Sequence, residues 1–175
     1  MTDDGDALFR ALCEQPAEDT ARLVYADWLE ENGKAERAEF VRLQCEAWNL
    51  CPAYPTLAEA RTRASVLLKR HGDAWHAELP ALPGVRWGDL FVRGFVDKVE
   101  LDHVPDIGGT LAGVFAAAPL RFLTVLRLKP GQLRELLACP LLARLLTLRL
   151  PGTFGDEQAR LLNAARERFP HTTIY

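Results

Sequence analysis

The chain has 175 residues, a formal net charge of −3, 49% hydrophobic residues and 26% charged residues, which is typical of a folded globular protein of one or two domains. No apolar run reaches the roughly 18 residues that a membrane-spanning helix needs, and the acidic start, MTDD, lacks the basic and apolar regions of a signal peptide. We therefore expect a cytoplasmic protein without a membrane partner. The absence of a strong basic cluster argues against nucleic acid as a partner.

Charge is distributed unevenly along the chain. Residues 1–88 contain 10 basic and 15 acidic residues, whereas residues 89–175 contain 11 basic and 9 acidic residues. The net charge is therefore negative in the first part and positive in the second. This difference favours docking of one part on the other, or of either part on an oppositely charged partner.

Helical periodicity dominates residues 1–78, where apolar residues recur at three- and four-residue spacing. We predict a bundle of four or five helices. Gly33 can adopt the left-handed backbone conformation that is common just after the end of a helix. Gly72 is expected to end the fourth helix. The predicted helices are one ending near Gln15, one from Glu18 or Asp19 to just before Gly33, one over 35–49, one over 56–71 and a short one over 73–78.

Pro and Gly residues mark a connector over 79–93, and the pattern changes beyond it. In residues 94–175 the motif apolar-x-x-apolar-x-apolar occurs three times, starting at Val96, Leu123 and Leu145, with spacings of 27 and 22 residues. A turn and a predicted helix follow each motif. These helices are expected over 107–118, 131–138 and 156–169, with a weak fourth strand over 172–175.

Each strand and helix of this second part can bury its apolar side only against its neighbours. We therefore predict an α/β protein with an α+β organisation, in which an N-terminal helical bundle caps the first repeat of a short strand–helix solenoid. The sheet should be parallel, with three or four strands. The alternative is an ordinary α/β layer whose strands are rich in leucine.

Four stretches, DTARLVYADWLEENG, RAEFVRLQCE, HGDAW and RGFVDKVEL, resemble the repeat-companion domain of planctomycete-type bacteria. Residues 94–175 resemble leucine-rich repeats, which commonly follow that domain. The family motif of these repeats has Asn or Cys at a turn position where this chain has Val104, Gly131 and Thr153, so the repeats are degenerate. The resemblance implies an architecture associated with repeats and carries no established activity.

Asp27 lies between Tyr25 and Trp28 in the second predicted helix. A partly buried carboxylate needs a partner charge, because an unpaired buried charge is costly. Antiparallel packing of the second and third helices would bring Arg37 or Arg42 back toward Asp27. We therefore predict a structural clamp of these residues. The alternative is an acid/base group, which normally acts with a second carboxylate in a cleft.

Cysteine and histidine provide the candidate metal ligands. Cys45 and Cys51 form C-x5-C, and His71 and His76 form H-x4-H, whereas cysteine ligands of structural zinc are usually two to four residues apart. We predict no metal, no cofactor and no catalytic residue. A small regulatory or catalytic protein that uses this Cys/His set, with or without zinc, is the alternative.

The residues between the core leucines, Asp97, Val125 and Arg127 among them, should project from the exposed face of the sheet. We predict a non-catalytic protein–protein interaction module that binds a protein partner through Lys98, Glu100, Arg127, Arg149 and Tyr175. Arg127 and Arg149 are expected to form a basic column beside Glu100, which favours an acidic partner. The alternative is a solvated face with a weak internal Glu–Arg ladder. The sequence indicates neither the partner's identity nor the oligomeric state.

Overall fold

The computed structural model describes residues 3–49 and 55–175. Within these ranges the chain is a mixed α/β protein with a mostly parallel five-stranded sheet, which confirms the predicted α/β class. It forms two compact units: the helical unit, which runs up to Leu79 and includes Asp89–Val96, and the sheet unit, Pro80–Gly88 with Asp97–Tyr175. The predicted connector, 79–93, is divided between the two units: 80–88 belongs to the sheet unit, and the rest belongs to the helical unit.

Caps and periodicity locate the helices well. The predicted helices over 35–49, 107–118, 131–138 and 156–169 are confirmed to within one residue at each end. In the described residues the α-helices are α1 Asp3–Glu14, α2 Asp19–Glu31, α3 Ala35–Asn49, α4 Pro55–Ala77, α5 Ile107–Ala117, α6 Pro130–Ala138 and α7 Asp156–Arg168. The strands are β1 Val85–Trp87, β2 Phe91–Val92, β3 Phe95–Val96, β4 Lys98–Asp102, β5 Phe122–Leu126, β6 Thr147–Arg149 and β7 Thr173–Ile174.

The two glycines that were expected to end helices behave differently. Gly33 follows α2 with φ +77°, the left-handed conformation that the sequence predicted. Gly72 lies inside α4, so the predicted stop and the separate helix over 73–78 are wrong. A glycine within a helix costs about 1 kcal/mol relative to alanine. Burial of Trp75 against Phe40, with 4.8 Å between ring centroids, offsets that cost by holding the last turns in place.

The helical unit has two apolar clusters. The first joins α1, α2 and α3 around Leu12, Tyr25 and Val41. The second joins α3 and α4 around Phe40 and Trp75. Each cluster also takes one phenylalanine from the segment 89–96: Phe95 in the first and Phe91 in the second.

That segment is a hairpin that the sequence did not predict. Strands β2 and β3 pair antiparallel around Arg93 and Gly94, whose φ angles are +49° and +90°. Positive φ at both turn residues is the requirement of a tight type I′ hairpin turn. The turn is buried: the Gly94 N–H donates to Gln44 Oε1 at 2.7 Å, and a Cβ on Gly94 would lie 2.6 Å from Val41 Cγ2. Glycine is therefore required for both conformation and space.

The sheet unit contains the five-stranded sheet, in the order β1-β4-β5-β6-β7. Strand β1 is antiparallel to β4, and the other neighbours are parallel. Helix α5 packs on α6, and α6 packs on α7. From β4 to β7, strands and helices therefore alternate in chain order.

The predicted repeat spacing is wrong. Val99 pairs with Leu123, and Leu123 pairs with Leu148, so the strands repeat after 24 and 25 residues, not 27 and 22. The residue equivalent to Val96 is Leu120, which is fully buried, rather than Leu123. Leucine occurs so densely here that two overlapping segments match the same motif.

Candidate protein-interaction surface

The sheet has one buried face and one face whose side chains are exposed or half-buried, apart from Thr124, which is buried. Val99, Leu101, Leu123, Val125 and Leu148 alternate along the strands and are buried. The opposite face carries a row that crosses four strands in register, from Arg86 through Glu100 and Thr124 to Arg149. We call this the outer face, defined by Arg86, Lys98, Glu100, Asp102, Phe122, Thr124, Leu126, Thr147, Arg149, Thr173 and Tyr175.

Three residues expected on the exposed face lie elsewhere. Val125 is buried on the inner face, since the register differs from the predicted one. Asp97 is buried and accepts hydrogen bonds from Arg121 Nη2 and Nε at 2.6 and 3.1 Å. Arg127 is not in a column with Arg149, because Thr124 is the residue of β5 that pairs with Arg149. The predicted basic column is therefore wrong.

Arg127 instead follows the end of β5 and pairs with Asp102 at the end of β4. Its Nε donates to Asp102 Oδ1 at 2.7 Å, and its Nη2 donates to Oδ2. The hydrogen bond from Arg127 lowers the pKa of the Asp102 carboxyl, and the same bond raises the pKa of Arg127. Arg127 has φ +50°, and His103, which follows β4 as Arg127 follows β5, has φ +53°.

The charges of the outer face are only partly balanced. Glu100 pairs with Arg86 at 2.8 Å, and Asp102 pairs with Arg127. Lys98 and Arg149 are exposed, and the structure gives neither an ion-pair partner among residues 3–49 and 55–175. Both carboxylates of the face are thus neutralised, and two cations remain.

Tyr175 adds an aromatic side chain next to Arg149. Its N–H donates to Leu148 O at 3.2 Å, and the Leu150 N–H donates to Tyr175 O at 2.7 Å. These bonds continue the pairing of β6 with β7 and bring Tyr175 level with Arg149. Tyr175 is 60% exposed, so its ring is available to a partner.

Asp27 lies at the surface of the helical unit. Arg42 Nη2 contacts Asp27 Oδ1 and Glu30 Oε2, each at 2.7 Å, and these hydrogen bonds raise the pKa of Arg42. The structure thus brings Asp27 and Arg42 together across α2 and α3. The Asp27 side chain is 66% exposed, so the expectation of partial burial is wrong, and such exposed pairs contribute at most about 1 kcal/mol.

Arg37, the other arginine of the predicted clamp, points into the helical unit. Its guanidinium lies over four rings, with centroid distances of 4.6 Å to Trp75, 5.1 Å to Phe95, 5.2 Å to Phe91 and 5.7 Å to Phe40. Burial lowers the pKa of Arg37 to about 10. Its Nη1 has no hydrogen-bond partner in the described part of the chain. Cation–π contacts therefore replace the carboxylate that the sequence led us to expect.

A second arginine network was missed. Arg93 donates to Pro16 O at 2.6 Å, to Ala17 O at 2.7 Å and to Asp19 Oδ1 at 2.9 Å. Arg22 donates to Pro16 O at 2.8 Å and to Arg93 O at 3.3 Å. Both arginines are buried and fasten the hairpin to the turn between α1 and α2. The only signal in the sequence was their position within RLVYADWLEENG and RGFVDKVEL.

The candidate metal ligands do not converge. Cys45 is buried, and desolvation raises the pKa of its thiol to about 11. His71 stacks on Trp75 at 5.3 Å, and His76 lies in the last turn of α4. Cys51 lies outside the described residues. Across residues 3–49 and 55–175, no group of three or more His, Cys, Asp or Glu side chains could hold a metal ion.

Comparison of the chain with protein-family models, with curated proteins and with solved structures found no match. The resemblance to the repeat-companion domain and to leucine-rich repeats therefore stays a prediction. In the described ranges, no helix has the length and apolar character needed to cross a bilayer.

Proposed function

We propose that the chain is a non-catalytic protein-interaction module that binds a protein partner through the outer face of its sheet. The observation that carries the proposal is the uncompensated pair of cations, Lys98 and Arg149, on a sheet face whose carboxylates already have partners. A cytoplasmic location is part of the same proposal.

The proposed scaffold is a short stack of degenerate leucine-rich repeats. Its support is the regular spacing of paired strand residues, from Val99 to Leu123, Leu148 and Ile174, which corresponds to repeats of 24, 25 and 26 residues. Leucine-rich repeats have 20–29 residues. The sheet faces of such stacks commonly serve as binding surfaces, because equivalent side chains of successive repeats align in rows.

The residues of the outer face suit a carboxylate-bearing partner. Arg149 can donate two parallel hydrogen bonds to one carboxylate, and Lys98 offers a second positive charge two strands away. Tyr175 lies level with Arg149, and Tyr and Arg are the side chains that most often anchor protein interfaces. Thr147 is short and only half-buried, so it leaves room for a partner beside Arg149 on the same strand.

Glu100 and Arg127, which were also predicted to contact the partner, have a different role in this proposal. Each is held by a neighbouring strand, Glu100 by Arg86 and Arg127 by Asp102. They fix the charge pattern around Lys98 and Arg149 and do not provide free binding groups.

A catalytic role for the Cys/His set has less support. A thiol with a pKa near 11 is protonated at neutral pH, and the thiolate is the reactive form. Cys45 therefore suits a structural position in the apolar cluster of α1, α2 and α3.

The test is capture of partners from the native host with three forms of the chain: wild type, Lys98→Glu with Arg149→Glu, and a control, Arg160→Glu with Arg168→Glu. The control makes the same charge change on exposed residues of α7. A partner retained by wild type and control but lost by the outer-face variant supports the proposal. A partner that all three folded proteins retain equally moves the interface elsewhere.

A further inference from the structure

We infer that one occupant of the outer face is a second copy of this chain, which docks through the acidic corner where α2 meets α3. The inference rests on the proposed function of the outer face and names its partner. The acidic corner is defined by Asp27, Glu30, Glu31 and Glu36, all exposed.

The two units carry net charges of opposite sign. The helical unit contains 10 basic and 16 acidic residues, and the sheet unit contains 11 basic and 8 acidic residues. Their net charges are therefore −6 and +3. Opposite charge on two parts of one molecule steers copies of that molecule together, head to tail.

With Arg37 buried, the corner keeps a net negative charge, because its four carboxylates outnumber the two cations beside them, the exposed Lys34 of the turn between α2 and α3 and Arg42. In the sequence, Arg37 follows directly on Glu36, where it would neutralise the corner. In the structure its guanidinium lies inside the ring cluster of Trp75, Phe91, Phe95 and Phe40. Arg42 forms ion pairs with Asp27 and Glu30. Glu31 and Glu36 have no ion-pair partner within the described ranges.

The unpaired charges of the corner and of the outer face are equal in number and opposite in sign. The corner presents two unpaired carboxylates, Glu31 and Glu36, and the outer face presents two unpaired cations, Lys98 and Arg149. Both pairs project from regular elements or their ends, α2 and α3 on one side and β4 and β6 on the other, so little ordering is needed on binding. Contact between the two surfaces would neutralise the unpaired carboxylates of the corner and the unpaired cations of the outer face at the same time.

The contact joins two different surfaces, the outer face of one copy and the acidic corner of another. It can therefore repeat from copy to copy as an open chain or a ring, or be made twice in a twofold dimer. Exposed ion pairs are weak and screened by salt, so we expect association at high protein concentration and low ionic strength. The dissociation constant of the contact should rise about tenfold between 50 and 300 mM salt.

The experiment is sedimentation velocity on the purified full chain over a concentration series, at low and at high salt. Three proteins are compared first. They are the wild type, a face variant that carries Lys98→Glu and Arg149→Glu, and a corner variant that carries Glu31→Lys and Glu36→Lys. We expect wild type to associate at low salt, and each variant to remain monomeric. Matched controls are Arg160→Glu with Arg168→Glu, and Glu46→Lys with Glu59→Lys, which change exposed charges elsewhere and should associate like wild type.

Mixing the two defective variants is the decisive step. The face variant retains an acidic corner, and the corner variant retains a basic face, so the mixture again contains the original complementary pair of surfaces. The reversed face of the first variant and the reversed corner of the second form another complementary pair. We expect association to return in the mixture and to disappear at high salt. A wild-type chain that stays monomeric at low salt, or a mixture of folded variants that fails to associate, overturns the inference.

The inference and the proposed function can fail separately. If the purified chain is monomeric but the host-capture experiment yields a partner that depends on Lys98 and Arg149, the outer face binds a different protein and self-association is refuted. If neither experiment depends on these two residues, both are refuted.

Discussion

Arg93 offers the sharpest test of how the helical unit is held together, because two opposing effects meet at this residue. Its guanidinium is buried and donates to Pro16 O, Ala17 O and Asp19 Oδ1. Its backbone has φ +49°, which is unfavourable for any residue other than glycine. The side-chain contacts therefore have to offset the strain of the turn.

The two effects can be separated by comparing Arg93→Ala with Arg93→Gly. Both variants lose the hydrogen bonds of a buried guanidinium, and a hydrogen bond to a charged group contributes about 1.5–3 kcal/mol. Asp19 is only partly buried and keeps its contacts with Asn49 and Arg22. Alanine keeps the strained backbone, whereas glycine relieves about 1 kcal/mol of it. We therefore expect a loss of about 1.5–3 kcal/mol for alanine and about 0.5–2 kcal/mol for glycine.

The assay is urea denaturation followed by tryptophan fluorescence. Trp28, Trp48 and Trp75 all lie in the helical unit, so the signal reports mainly on that unit. The reasoning is refuted if Arg93→Gly is no more stable than Arg93→Ala, or if both lose less than about 1 kcal/mol, the scale of an ordinary surface substitution.

Three further predictions follow from individual side chains. Arg37→Met should change the free energy of unfolding by less than about 1.5 kcal/mol, because the unbranched apolar side chain can fill the space of a buried cation that has no carboxylate partner. Arg37→Ala should lower the free energy of unfolding by about 2–5 kcal/mol, because it leaves a cavity. Urea denaturation of both variants measures these changes. By carbon-detected NMR, the Asp102 carboxyl should titrate below the usual range for aspartate, and Arg127→Ala should return it to that range. The Asp102–Arg127 pair should therefore be present at neutral pH and lost as the pH falls through the lowered pKa; an unchanged titration in the variant would contradict the role given to Arg127. Cys45 should resist alkylation at pH 8 in the folded chain and react in urea, because its thiol has a pKa of about 11; mass spectrometry of the labelled peptide measures this, and rapid labelling of the folded protein would count against the buried position.

The helices of this chain could be predicted from sequence because their signals are local. The left-handed Gly33 after α2 depends on a few adjacent residues. Gly72 shows the limit of such signals. Its weak preference against helix is overruled by the packing of Trp75, which lies three residues further along the chain.

The strands were found, but their register was not, because register depends on which apolar residue faces the core. Leu120 and Leu123 are three residues apart, and each begins a segment that matches the same motif. Only the pairing of Leu123 with Val99 decides between them. The error moved Arg127 into a row that Thr124 occupies, so the predicted binding surface was wrong in its details.

The direction of the arginines could not be derived from sequence at all. Arg37 and Arg42 are five residues apart in α3, yet Arg37 is enclosed by aromatic rings and Arg42 pairs at the surface with Asp27. The rings around Arg37 come from α3, α4 and the hairpin. A helical pattern predicts the side of a helix that is buried, but not the distant residues that a guanidinium will meet there.

The central claim is that the outer face is where this chain meets another protein. The most direct measurement is photo-cross-linking in the native host, with a photoreactive amino acid in place of Thr147, which lies on the outer face between Phe122 and Thr173. A matched probe replaces the exposed Ala159 on α7. The account predicts a protein adduct at position 147 and none at position 159. Adducts at position 159 alone, with none at position 147 in a folded protein, would contradict it.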